Sequence, residues 1–143
     1  ATGTHLALVD AANAFEPAEW AAPLLRRMLW VRCHGVPEAL RSVDLLLRDG
    51  NLPVVVLDLQ TSRPGALRRI PGSTWHRFAR TLETSGCTLV VLCARPLAEG
   101  VRLRLADASE WAFAALQEPR RTLRDTLQLA VRERGKTVRR RTA

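Results

Sequence analysis

Asp10 and Asp58 are the residues best placed for chemistry, because each ends a run of apolar residues, "LALVD" and "VVVLD". Both runs are expected to be strands, and in open α/β sheets ligands bind outside the carboxyl ends of the strands. The second run has the form of a Walker B strand, in which a carboxylate helps to hold the magnesium ion of a bound nucleotide. The alternative is that Asp58 only caps the following turn, since apolar strands that end in Asp are common.

A nucleotide site also needs a phosphate loop, which is a glycine-rich segment with Lys and Ser or Thr at the start of a helix. The sequence "GKT" occurs at 135–137, but Ala130 stands five positions before Gly135, where the motif requires glycine. Basic residues surround the tripeptide, and the sequence predicts no helix after it. Without that loop, Asp58 has no nucleotide to serve in this chain.

Histidine and cysteine offer little nucleophilic chemistry. His5, His34 and His76 are scattered, and no Gly-x-Ser-x-Gly or paired-acid arrangement is present. We keep His34 in view because it stands beside Cys33 at a predicted strand end. The three cysteines are an odd number without metal-like spacing, so we expect buried thiols, no metal and no cofactor.

The elements that position these residues alternate between strand and helix over the first two thirds of the chain. This alternation predicts an α/β fold with a mostly parallel sheet flanked by helices. Segments 101–107 and 126–134 instead alternate apolar and polar residues, which predicts an antiparallel C-terminal extension of the sheet. Between these two segments, residues 109–121 are predicted to form a helix or turn, with Ser109 as a candidate cap. The remaining predicted strands are 5–10, 29–33, 53–59 and 87–94, and the predicted helices are 16–28, 37–51 and 73–86, with a loop around Pro64 and Gly65.

The bulk composition allows one compact domain. The chain has 143 residues, 47% of them hydrophobic, and we expect the domain to span residues 1–134 with a basic, disordered tail over 135–143. No apolar run approaches the roughly 20 residues of a membrane span. The N-terminus has no pattern of a secretory signal. These features predict a cytoplasmic protein that does not insert into a membrane.

The net charge of +8 is concentrated near the C-terminus, where residues 119–143 hold nine Arg or Lys against two acids. Such a segment can meet nucleic acid or an acidic protein surface, and the alternative is a solvated tail. The four tryptophans, Trp20, Trp30, Trp75 and Trp111, are further possible anchors for a partner, although burial in the core is the commoner fate of Trp. The candidate contact residues are Arg120, Arg121, Arg124, Arg139, Arg140, Arg141, Trp20 and Trp111.

Taken in order, these segments resemble the RecA-like superfamily, and within it the ImuA and SulA group of SOS-response proteins. "ALVDAANAFEP" is similar to a RecA strand and the turn after it, and "EALRSVDLLLRDGNLPVVVLDL" to the helix and Walker B strand that follow. "STWHRFARTLETSGCTLVVLCARPL" is similar to the next helix and strand, and "MLWVRC" resembles ImuA in particular. The resemblance covers about residues 6–134 and implies a RecA-like fold.

The chain departs from the catalytic pattern of that superfamily at two positions. RecA-type ATPases carry a water-activating glutamate two residues after the strand-end Asp, where this chain has Ala12. They carry a γ-phosphate-sensing glutamine near the end of the 87–94 strand, where it has Ala94. An alanine can neither polarise water nor contact a phosphate. Asp10 and Asp58 are therefore interpreted as relics of a nucleotide site, and we expect no enzymatic activity.

The resemblance implies a non-catalytic adaptor in SOS mutagenesis, the translesion DNA synthesis that follows DNA damage. Its expected partners are RecA and an ImuB-type polymerase homologue, with single-stranded DNA as a further partner of the basic C-terminus. The first alternative is a SulA-like division inhibitor that binds FtsZ. A second alternative is a nucleotide-hydrolysing enzyme whose phosphate loop precedes residue 1, since a RecA-type core places that loop earlier in the chain.

Overall fold

The computed structural model describes residues 4–98, 101–133 and 136–140. The chain forms two compact units, residues 1–100 and 101–143, so the structure divides near residue 100 and not at 134. The first unit contains β1 (Leu6–Asp10), a 3-10 turn (Pro17–Glu19), α1 (Ala22–Leu25), β2 (Met28–Arg32), α2 (Val36–Asp49), β3 (Val54–Asp58), α3 (Pro64–Arg68), α4 (Gly72–Ser85) and β4 (Thr88–Leu92).

The four strands of the first unit form one parallel sheet in the order β2-β1-β3-β4. This confirms the predicted α/β fold with a mostly parallel sheet. The strands are rich in Val and Leu, and their connections carry helices, as parallel pairing requires. The register places Asp10 opposite Asp58, so that the two strand-end acids lie side by side at the carboxyl edge.

The core lies between one face of this sheet and helices α2 and α4. Alternate strand residues face these helices, and each helix contributes an apolar stripe at a spacing of three to four residues. On the opposite face Leu8 is buried, whereas Val90 in the edge strand β4 is 39% exposed. The central core residues are Ala7, Val9, Val55 and Leu57 from the sheet, Ala39, Val43 and Leu47 from α2, and Trp75 and Phe78 from α4.

Helices α2 and α4 end where the sequence predicts, and glycine is the reason. Gly50 and Gly86 adopt left-handed backbone conformations, with φ of +69° and +66°, which side chains with a Cβ disfavour. The predicted cap at Ser73 or Thr74 is wrong, because α4 begins at Gly72 after Pro71 and no side chain caps it.

The predicted helix over 16–28 is wrong. The segment contains Pro17 and Pro23, and a proline ring inside a helix lacks the N–H donor and clashes with the carbonyl four residues earlier. Each proline therefore stands in the first turn of a new short element, the 3-10 turn and α1, and Met28 already belongs to β2. The same preference explains α3, which begins at Pro64 where a loop is predicted.

The second unit contains a three-stranded antiparallel sheet in the order β5-β6-β7. This confirms the predicted antiparallel C-terminal part. The disordered tail predicted over 135–143 is corrected at 136–140, where the backbone hydrogen-bonds to β6 as a third strand; positions 135 and 141–143 lie outside the described residues. The unit contains β5 (Leu103–Asp107), a 3-10 turn (Phe113–Gln117), α5 (Arg120–Asp125), β6 (Leu129–Glu133) and β7 (Lys136–Arg140).

The helices within the described ranges are short or amphipathic, and none combines the length and apolar character needed to cross a membrane.

Candidate functional site

The carboxyl edge of the parallel sheet brings together the two acids singled out in the sequence. Asp10 ends β1 and Asp58 ends β3, and the two are register partners on adjacent central strands. Ala12 lies exposed in the turn after β1. Ala94 is also exposed. The sequence predicted that it lies in a strand over 87–94, but β4 ends two residues earlier, at Leu92.

The Asp10 carboxylate is occupied by hydrogen bonds from its own chain. Its side chain is buried, with 1% exposure, and Oδ1 accepts the N–H groups of Ala12 at 3.3 Å and Ala14 at 3.0 Å. Oδ2 accepts the N–H of Phe15 at 2.9 Å and the indole Nε1–H of Trp30 at 3.4 Å. This carboxylate therefore organises the turn over residues 11–15 and ties it to β2.

These bonds also set the charge state of Asp10. Desolvation by burial acts to raise the pKa of the carboxyl group, but the hydrogen bonds from Phe15, Ala14, Trp30 and Ala12 outweigh it and hold the pKa below its ordinary value. The group is thus a buried carboxylate at neutral pH. A carboxylate stabilised in this way is a poor general base, because a base for catalysis at neutral pH needs a pKa near 7.

Asp58 serves a second, separate turn. Its Oδ1 accepts the N–H of Gln60 at 2.9 Å, which is the turn-capping geometry expected for an acid at a strand end. The two neighbouring carboxylates therefore accept hydrogen bonds from two different turns. Among the described residues, no group of three or more His, Cys, Asp and Glu side chains is arranged to hold a metal ion.

An aromatic cluster covers the turn after β1. The ring of Phe15 lies 5.6 Å from that of Trp20 and 5.4 Å from that of Trp30, measured between centroids. The guanidinium of Arg32 lies 5.0 Å above the Trp30 ring and donates from Nε to Asn13 Oδ1 at 2.6 Å. Asn13 has a φ of +52°, a left-handed conformation that asparagine tolerates better than most residues.

Sequence reasoning missed Asn13, Phe15 and Arg32. The available signal was an Asn three residues after a strand-end Asp, which is typical of a turn held by side-chain hydrogen bonds. That signal would have identified Asp10 as the hydrogen-bond acceptor of the turn that follows it.

A groove of about 290 Å³ opens beside this cluster, between the start of the sheet and the 17–28 connection. Trp20 and Leu24 are 53% and 57% exposed there, which is high for large apolar side chains. The groove borders β2, which is the terminal strand of the described parallel sheet. The lining residues are Thr4, Leu6, Trp20, Leu24, Leu25, Arg27 and Met28.

The remaining sequence candidates are dispersed. Cys33 is buried and contacts Ser42 and the Val31 carbonyl, and burial raises the pKa of its thiol. The exposed His34 ring instead pairs with Glu38 at 3.3 Å, so the two neighbours form no catalytic pair. Lys136 and Thr137 lie in β7, which excludes them from a loop that opens a helix.

The aromatic and basic residues predicted to contact a partner are also dispersed over the chain. Trp75 is buried in the core and Trp30 is half-buried, whereas Trp111 is 45% exposed in the second unit. The basic candidates lie outside the residues whose side chains the structure describes, and they are Arg120, Arg121, Arg124, Arg139, Arg140 and Arg141.

The first unit is an α/β unit whose two strand-end acids accept hydrogen bonds from the turns that follow them, and two of its exposed apolar side chains, Trp20 and Leu24, line one groove. No protein-family model matches the chain, and no curated protein matches it.

Proposed function

We propose that this chain is a non-catalytic, RecA-like adaptor in SOS-induced translesion DNA synthesis, acting in the cytoplasm through RecA, an ImuB-type protein, or both. The observation that carries the binding role is the groove at Trp20 and Leu24. The ordered series of RecA-like segments supports the choice of partners, and the α/β sheet agrees with the fold that the resemblance implies.

The state of Asp10 supports the absence of hydrolysis. Four hydrogen-bond donors occupy its carboxylate, and Asp58 is engaged with Gln60. Ala12 and Ala94, both exposed, offer no group that can activate water or contact a γ-phosphate. A protein of this construction contributes to its pathway by binding.

The groove has the properties of a protein contact site. Interfaces are anchored by a few large side chains, Trp foremost, that enter pockets and lose their water. Trp20 is already held on one side by Phe15, at 5.6 Å between ring centroids, while its other surface remains exposed. The adjacent edge strand β2 offers backbone hydrogen-bonding groups to an extended partner segment.

The test is capture of purified RecA, ImuB-type protein and FtsZ by the full chain at two salt concentrations. We expect RecA or the ImuB-type protein to bind, and Trp20→Ala to weaken that binding at least tenfold, equivalent to about 1.4 kcal/mol. Trp111→Ala is the matched control, because it removes an indole of similar exposure from the other unit.

Each other outcome decides against part of the proposal. Capture of FtsZ without RecA or the ImuB-type protein would identify a division inhibitor of the SulA kind. Capture of none of the three would reject the adaptor function. Equal losses from Trp20→Ala and Trp111→Ala would show that the groove is not the contact site.

A further inference from the structure

Strand β4 forms one edge of the parallel sheet and contains no charged residue. Its sequence is Thr-Leu-Val-Val-Leu, and Val90 is 39% exposed. Native proteins protect a sheet edge with charged side chains, proline or a bulge, because an open edge offers unpaired N–H and C=O groups to another strand. The opposite edge, β2, has such protection, since it ends in the exposed Arg32 and follows the exposed Arg26 and Arg27. The edge at β4 lacks it and is suited to pairing with a further strand.

The main-chain hydrogen bonds of β4 show which of its residues point away from β3. The N–H of Thr88 donates to the carbonyl of Pro53 at 2.8 Å, so Thr88 directs its main-chain groups toward β3. Successive residues of a strand direct these groups to opposite sides. The main-chain groups of Leu89 and Val91 therefore point outward, to a side on which no strand of residues 4–98 pairs with β4.

We propose that two copies of this chain pair through β4, antiparallel to each other and about a two-fold axis at Val90. In this register Leu89 of each copy lies opposite Val91 of the other, so each such pair exchanges both of its main-chain hydrogen bonds. Val90 lies opposite Val90, and Thr88 lies opposite Leu92. The two parallel sheets then join into one continuous sheet that crosses the dimer.

The composition of β4 makes the strand complementary to a second copy of itself. A two-fold contact uses the same patch on both copies, so that patch must fit itself. Like charges that face each other across two strands oppose pairing, and β4 has none. Apolar and β-branched residues form favourable cross-strand pairs, and the exposed Val90 side chain gains the same residue of the other copy as its neighbour.

Helix α4 leaves room for a second copy beside β4. Arg77 of α4 faces α2, because its Nε donates to Asp44 Oδ1 at 3.0 Å. Ala79 is about 200° further around the helix, on the side turned away from α2, and it is exposed. Since α2 packs on β1 and β3 and α4 connects β3 to β4, this side of α4 is the one nearer the open edge. A small residue there lets the α4 helices of two copies approach each other.

The pairing is independent of the adaptor function proposed above. The groove at Trp20 borders β2, and the order β2-β1-β3-β4 places β2 and β4 at opposite edges of the sheet. A dimer formed through β4 therefore leaves both grooves open to a partner. Failure of one proposal leaves the other standing, because the two use different edges.

Sedimentation equilibrium of the full chain measures the association. Pairing of two short strands buries little area, so we expect a dissociation constant of about 1–100 µM. Val90→Lys places two like charges opposite each other on the two-fold axis and should weaken the dimer at least tenfold. The matched control is Leu45→Lys, which introduces the same side chain at a 69% exposed position of α2 and should leave the dissociation constant unchanged. Circular dichroism checks that each variant is folded.

Disulfide formation tests the register with Val90→Cys, a variant close to the wild type in shape. Opposed residues that exchange no main-chain hydrogen bonds have Cα atoms about 4.5 Å apart, which lies within the range of about 4.4–6.8 Å that a disulfide spans. We expect oxidation by copper phenanthroline to link two copies through position 90, as identified by mass spectrometry of the linked peptides. Thr88→Cys is the matched control, because in this register position 88 faces position 92 and not itself.

Three results would overturn the proposal. The wild type remains a single chain at about 500 µM, above the whole expected range. Val90→Lys and Leu45→Lys weaken the dimer equally, which places the contact elsewhere. Thr88→Cys forms a link through position 88 as readily as Val90→Cys does through position 90, which excludes the two-fold register. If Val90→Lys unfolds, the comparison of the two cysteine variants decides.

Discussion

Replacing Asp10 tests the conclusion that its carboxylate holds the structure together. The side chain is 1% exposed and accepts three backbone N–H groups and one indole N–H. One buried donor left without an acceptor costs about 1–3 kcal/mol. Because the turn can partly relax toward water, we expect Asp10→Ala to lower the free energy of unfolding by about 3–5 kcal/mol. This is a large fraction of the 5–15 kcal/mol typical of a domain.

The isosteric variant Asp10→Asn refines the test. It keeps the shape but removes the charge and turns one acceptor into a donor, so we expect a loss of about 2–3 kcal/mol. Urea unfolding followed by circular dichroism measures it. Asp58→Asn is the matched control. It affects one hydrogen bond, from the N–H of Gln60, so we expect the free energy of unfolding to fall by about 1 kcal/mol or less.

The effect of pH has a defined sign. The folded-state pKa of Asp10 lies below its ordinary value of 3.8, so its contribution is fully present above about pH 4 and is lost as the pH falls through the folded pKa. The stability difference between the wild type and Asp10→Asn should therefore narrow in acid. A wild type no more stable than Asp10→Asn at pH 7 would refute the structural role and restore Asp10 as a residue held ready for a ligand.

Three further perturbations test the core, a helix end and the thiols. Phe78→Ala should cost about 3–5 kcal/mol of unfolding free energy by urea titration, because the 1% exposed ring leaves a cavity between α4 and the sheet. Gly50→Ala should lower the free energy of unfolding by about 1 kcal/mol through strain at φ +69°, whereas Gly72→Ala, with open space around the added Cβ, should not lower it. In alkylation followed by mass spectrometry, half-buried Cys93 should react before Cys33, whose burial raises the thiol pKa; faster labelling of Cys33 would contradict its position in the core.

The sequence was sufficient to predict the strands and long helices of the first unit. Residues 54–57 and 89–92 are uninterrupted apolar segments, and α2 and α4 combine a periodic apolar stripe with a glycine that ends the helix. Periodicity failed over 16–28, where Trp20, Leu24 and Met28 are spaced as on a helix face. The two prolines override that spacing, and the first two of these side chains are more than half exposed.

The position of the candidate site was predictable, and its chemistry was not. Topology alone puts Asp10 and Asp58 at one edge of the sheet. The direction of the Asp10 carboxylate depends on the conformation of the next five residues, including the left-handed Asn13, and on the indole of Trp30 from a neighbouring strand. Likewise, the basic residues of 136–140 predicted a solvated tail. The segment instead pairs with β6 through main-chain hydrogen bonds, which do not depend on the charge of the side chains.

The order β2-β1-β3-β4 also has a consequence for biosynthesis. Strand β1 leaves the ribosome before both of its neighbours, β2 and β3, and it receives the second of them only when β3 is made. Asp10 and its register partner Asp58 are 48 positions apart, a length that takes roughly 2–10 s to synthesise at about 5–20 residues per second. During that interval β1 has one open edge, to which a nascent chain on a neighbouring ribosome can pair.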